Sequence, residues 1–168
     1  MTATTPEAVK RSKFALFLNT TPASTETWSR MGKGIVDNSL SYGASVSSET
    51  FIHEDNANNN VDSYALNLPV TQYCYKGDAI FDFIDEIRQS RKTGTECETD
   101  ILLVYLYDFT TATNVDHYAA EKNKVTIQIE SFGGPGGQRN QIAYNVLFNG
   151  DPTPCTVTIS DGVPAIDS

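Results

Sequence analysis

The chain has 168 residues, a length at which one domain is expected, and its 21 acidic against 12 basic residues give a formal net charge of −9. That balance excludes a domain that grips nucleic acid through its phosphates, which needs a basic surface. Three widely spaced cysteines with no CxxC pair, no basic-then-apolar leader and no apolar run of about 18 residues predict reduced thiols, no membrane segment and folding in a cytoplasm.

Residues 1–12 are polar, contain Pro6 and lack a hydrophobic period, so they are expected to form a flexible arm that includes Lys10 and Arg11. Residues 13–19 (KFALFLN) read as an apolar strand, and residues 20–27, with Pro22 and several hydroxyls, as a loop. Trp28 and Met31 begin a second strand that Gly32-Lys33-Gly34 interrupts, and residues 35–42 continue extended. Residues 45–53 and 61–75 have strand composition and enclose a turn-tolerant segment, 54–60 (EDNANNN), which predicts a long hairpin with its tip near Asn58. In the second arm Tyr64, Leu66, Leu68 and Val70 alternate with Ala65, Asn67, Pro69 and Thr71, the period of a sheet with one wet face, and Pro69 suits an edge strand.

Residues 70–108 hold the most mutually consistent signals. Gly77-Asp78 opens a helix with Asp78 as its N-cap, and Ile80, Ile84 and Ile87, joined by Phe81 and Phe83, give it one apolar face that another layer must cover. Asp78, Asp82, Asp85 and Glu86 come early and Arg88, Arg91 and Lys92 late, in keeping with the helix dipole, and Gly94 is the expected stop. Residues 100–108 (DILLVYLYD) then read as a central strand. Beyond it, residues 110–123 are expected to form a polar loop, 124–132 an alternating strand, 133–137 a glycine break, 142–148 a strand, 149–152 a turn and 155–159 a last short strand. Many strands and one helix predict a mainly β fold, a β-sandwich or barrel with the helix packed on it.

Catalytic and ligand signatures are weak throughout. His53 and His117 have no Cys, His or acid at metal-like helical spacing, and neither glycine cluster carries the GK[ST] tail that cradles phosphate. Asn56, Asn58, Asn60 and Asp62 alternate as in a calcium loop, but the sharp-turn Gly and the closing Glu are missing. The helix acids read as a solvated face at a helix start. No enzyme, metal or cofactor is expected from these residues. A non-catalytic small-molecule or carbohydrate-binding β-domain, with Trp28, Tyr105 or Tyr107 lining a pocket, is a competing reading.

The ordered set KFALFLN, TWSRMGKGI, YKGDAIFDFIDEIRQSRKTG, DILLVYLYD, SFGGPGG and YNVLFNGDP, spread over residues 13–160, resembles the major tail proteins of long-tailed, non-contractile bacteriophages. The resemblance implies a single tail-tube domain over 13–160, with an arm at 1–12 and a tail at 161–168. It implies hexameric rings that stack around a tape-measure protein, partners in the tail terminator and distal tail proteins, and DNA only as a passenger through the lumen. The location implied is the virion tail, reached from the host cytoplasm during assembly. By position, it assigns subunit contacts to Glu54, Asp55, Asn56, Asn58, Asn59, Asn60, Lys10 and Arg11. An inner-tube or secretion-tube ring protein of the same superfamily is the alternative within that architecture.

Overall fold

The computed structural model describes residues 4–167. In chain order the strands are β1 (Phe14–Asn19), β2 (Trp28–Arg30), β3 (Ser45–Glu49), β4 (Asn58–Ser63) and β5 (Asn67–Tyr73), followed by the helix α1 (Ala79–Ser90). After it come β6 (Glu98–Ala112), β7 (Val115–Gly133), β8 (Gln141–Ser160) and β9 (Val163–Ile166). One antiparallel sheet runs β2-β1-β6-β7-β8-β5, with β9 also on β8, while β3 and β4 form a separate two-stranded sheet. Residues 1–3, part of the expected N-terminal arm, and residue 168 lie outside the described residues.

The central pair follows from its unbroken apolar runs. β1 and β6 pair from Phe14↔Tyr105 to Leu18↔Ile101, and both faces of the pair are covered, as such runs require. Leu16, Leu18, Ile101 and Leu103 enter one core with Val125, Ile127, Ile142 and Val146, and Ala15, Phe17, Leu102 and Val104 enter a second with Trp28, Ala120 and Val157. α1 closes the first core through Ile80, Phe81, Ile84 and Ile87. Its N-cap is Asp78, whose carboxylate accepts from Phe81 N at 3.1 Å. Arg91, in the left-handed region at φ 46°, ends the helix. The stop therefore comes three residues before Gly94, which instead begins a short 3₁₀ turn (Gly94–Cys97). Pro69 sits on β5, the end strand of the sheet, where its missing N–H costs no ladder bond.

Four sequence expectations are corrected. Residues 110–123 are not a loop: β6 runs on to Ala112, turns at Thr113 and Asn114, both with positive φ (54° and 60°), and returns as β7. Two consecutive left-handed residues make the turn that matches strand twist in a two-residue hairpin. Residues 149–152 are not a turn either. They lie inside β8, where the partners step from Lys122↔Thr153 to Lys124↔Asn149, so three β8 residues oppose Asn123 alone and the sheet bends. Finally, the hairpin tip lies between Glu49 and Asn58, and Asn58, Asn59 and Asn60 are strand residues paired with Glu49, Ser48 and Ser47. The arm expected over 61–75 is broken at residues 64–66, with β4 on β3 and β5 on β8. Among the described residues no helix is long and apolar enough to cross a membrane.

Candidate functional site

The β3–β4 hairpin stands apart from both cores. Every residue of β4 is exposed, and in β3 only Ser47 is partly covered. A lone two-stranded hairpin is marginal in water, and this one is laced by polar contacts: Ser47 Oγ and Asn60 Nδ2 both donate to Asp62 Oδ1, at 3.0 and 2.8 Å. Its base is fixed by close backbone approach. Gly43 has φ 51°, and a Cβ there would lie 2.5 Å from the Ala65 carbonyl oxygen. Tyr42 and Tyr64 meet edge-on beside it, 6.3 Å between ring centres. Apolar side chains nevertheless line the arm. Val46 and Val61 face each other across the strands, 57% and 50% exposed, and the tip carries Phe51 at 52% and Ile52 at 107%. Exposed apolar residues grouped on one projecting element are the usual mark of a contact surface.

A second surface is a groove of about 690 Å³ between β1, the end of β2, the 35–42 segment and β6. Phe14 stacks on Tyr105 at 5.7 Å and Tyr107 meets Tyr105 edge-on at 5.9 Å, forming an aromatic floor, and Val36 on the rim is 86% exposed. Burial, then the nearby Glu121, raises the Tyr105 phenol far above its ordinary value, so it stays protonated. Arg11 lies over the Phe14 ring at 5.2 Å and donates to the Phe14 carbonyl oxygen at 2.6 Å and to Asn38 Oδ1. Arg30 donates to the Ser12 carbonyl oxygen at 3.1 Å. Among the described residues neither guanidinium is paired with a carboxylate.

A third feature is an open ladder. β1 accompanies β6 only as far as Tyr105, so over residues 106–112 no strand pairs with β6 on that side among the described residues; residues 106–108 bulge out of register with β7, and from Tyr107 onward the side chains are exposed. Such an edge is a template for another strand.

The residues singled out in the sequence fall in two separate places. Glu54, Asp55 and Asn56 are at the hairpin tip, where Glu54 accepts from Asn58 Nδ2 and lies 3.7 Å from His53 Nε2, and Asn58, Asn59 and Asn60 form the exposed β4 strand. Lys10 and Arg11 are on the body beside the groove, the Lys10 carbonyl accepting from Lys13 N at 2.9 Å. Within one copy the two sets do not meet. Tyr105 and Tyr107 do line a concave surface, whereas Trp28 is packed in the second core with Lys122 Nζ 5.6 Å from its ring. His117, unassigned in the sequence, holds Asp167 at 2.7 Å just beyond β9. Phe51, Ile52 and Arg30 were missed; their only signal is apolar or cationic side chains in stretches with no regular period.

No protein-family model matches the chain. No curated protein sequence matches it either. Among solved structures the fold is similar to a chain of the tail of an empty GTA particle refined with C6 symmetry, with TM-score 0.59 and 9% identity over 87% of this chain and 98% of that one. It is also similar to the SPP1 tail tube, with TM-score 0.57 and 15% identity over 92% of this chain and 82% of that one. At these identities the likeness is one of fold: the chain's mainly antiparallel β architecture with a single helix matches the fold of these two tail structures.

Proposed function

We propose that this chain is a structural subunit of a bacteriophage tail tube of the long, non-contractile type. Its copies form hexameric rings that stack around a tape-measure protein, end against tail terminator and distal tail proteins, and give DNA a path through the lumen on ejection. The protein is then a virion component that assembles in the host cytoplasm. The observation that carries this reading is the likeness of fold, along most of the chain, to subunits of two tails. In this reading residues 13–160 are the ring-forming body, to which β9 adds a strand on β8 and Arg11 a contact with Asn38.

Two features fit that role. The open edge of β6 supplies a ladder that a neighbouring copy can continue, which turns an aggregation hazard into a closed, symmetric contact. The hairpin, which buries nothing in its own copy, reaches toward an adjacent ring. The acidic balance of −9 suits a conduit, because like charges keep DNA from adhering within a Debye length of roughly 8 Å.

Electron microscopy of the purified protein, alone and with tape-measure protein, tests the proposal. Hollow tubes or six-fold rings are expected, and persistent monomers at every concentration and salt would overturn it.

A further inference from the structure

We propose that the hairpin tip of one copy, Phe51 and Ile52 with the carboxylates around them, docks into the Arg11/Arg30 groove of a second copy. The proposal rests on the tube reading and names a contact within it. Four observations lead to this pairing.

The tip exposes two large apolar side chains, Ile52 fully and Phe51 about half, one face of the Phe51 ring being stacked on His53. The groove offers an aromatic floor of Phe14, Tyr105 and Tyr107 and an exposed aliphatic rim at Val36, in a volume typical of concave binding sites, roughly 300–1,000 Å³.

Charge then selects the partner. The arm from residue 45 to 63 carries Glu49, Glu54, Asp55 and Asp62 and no Lys or Arg. The groove holds two guanidiniums, neither in an ion pair among the described residues, against one carboxylate, Asp37, so its balance is positive. Arginine presents a planar fork that suits carboxylates, and it is a frequent anchor at interface centres.

Geometry requires a second copy. The five residues of β3 carry the tip about 16 Å from its base at 3.3 Å per residue, while Tyr42, at that base, lines the groove. No residue of 45–63 lines the groove of its own copy, which leaves that groove free for a neighbour's tip.

The groove also borders the open β6 edge, so one neighbour can seat a hairpin and extend a ladder on the same side of the molecule.

The test mixes two chains, one carrying Ile52→Cys and the other Val36→Cys, under mild oxidation, and maps disulfides by mass spectrometry. A link between positions 36 and 52 of different chains is expected, at about tenfold the yield of a control pairing of Ile52→Cys with Thr111→Cys. In the Cys-bearing pair, adding Arg11→Glu and Arg30→Glu to the groove chain should suppress the link. Adding Glu54→Lys and Asp55→Lys to the hairpin chain should then restore it, an outcome that a folding defect in either chain does not produce.

A 36–52 yield no higher than the control, or a dominant link from position 52 to any other region, overturns the proposal. Electron microscopy of the same parent chain separates the two ideas. Tubes without the 36–52 link leave the tube reading standing and remove the docking site. A 36–52 link in a protein that never forms rings or tubes keeps the docking site and removes the tube.

Discussion

Tyr144, fully buried on β8, donates its hydroxyl to Gln72 Oε1 on β5 at 3.1 Å, and Gln72 passes the connection on to the start of α1. Its amide nitrogen donates to Asp78 Oδ2 and to the Lys33 carbonyl oxygen, both at 3.0 Å, and Asp78 Oδ2 in turn accepts from Phe81 N. Burial, and then the charge of Asp78, raise the Tyr144 phenol far above its ordinary value, which keeps it a donor. One polar chain thus joins two strands, the 32–34 turn and the helix N-terminus inside an otherwise apolar core.

Gln72→Leu keeps the volume but leaves the Tyr144 hydroxyl without its acceptor and strips the cap carboxylate of a donor. An unsatisfied buried polar group costs about 1–3 kcal/mol, so urea denaturation should show a loss in that range. Tyr144→Phe, which orphans only Gln72 Oε1, should lose less. Equal midpoints for parent and both variants would mean that the network is replaced by water.

Ile84 is wholly buried where α1 crosses the first core. Ile84→Asp puts an unpaired carboxylate under the sheet and should destabilise the fold by roughly 3–5 kcal/mol, the upper tail for a point mutant. Thermal and chemical unfolding followed by far-UV circular dichroism read this directly, and a parent-like midpoint would place the apolar face of the helix elsewhere.

Elements whose side chains meet a core were legible in the sequence, and elements held only by backbone pairing were not. KFALFLN, DILLVYLYD and the 3.6-residue period of α1 follow from burial, and so each stands close to its expected place. The outer halves of β6 and β7 leave no such trace, because from Tyr107 to Val115 the residues are exposed and their composition is free to resemble a loop. Asn149-Gly150 carries a strong turn signal, yet Gly150, at φ 69°, serves the irregular stretch that bends β8. Asn58–Asn60 likewise favour turns but pair with β3, since nothing packs on them to demand a strand-forming side chain. Of the candidate contact residues, the hairpin set is singled out in the sequence by its polarity, while its apolar tip and the groove that includes Arg30 emerge only from the three-dimensional arrangement.

The C-terminal strand offers a local test of pH dependence. Asp167 N donates to the Thr156 carbonyl oxygen at 2.9 Å, and its carboxylate lies 2.7 Å from His117 Nδ1. That hydrogen bond is the main cause holding the Asp167 carboxyl below its ordinary value of 3.8. A carboxyl depressed on folding stabilises the fold fully above its unfolded pKa and loses that contribution as pH falls through the lower, folded value. The clasp should therefore persist at neutral pH and fail only below about 3.8. A carbon-detected NMR titration should place the Asp167 midpoint under that value, and Asp167→Asn should speed amide exchange across β9 with little change in β1 or β6. A midpoint at or above the ordinary value would remove the clasp.

The sharpest separation of folding from assembly lies in the hairpin tip. Replacing residues 50–57 by Asn-Gly joins β3 to β4 through a favoured two-residue turn and removes Phe51, Ile52, Glu54 and Asp55 together. None of these residues belongs to either core, so the unfolding free energy should change by less than about 0.5 kcal/mol, as at surface sites without special contacts. Growth of tubes, followed by light scattering and electron microscopy, should be lost. If the shortened chain polymerised like the parent, neither the ring-bridging role of the tip nor its seat in the Arg11/Arg30 groove would stand. A chain that failed to fold would instead show the tip to be structural, a result the unfolding measurement distinguishes before any assembly assay is run.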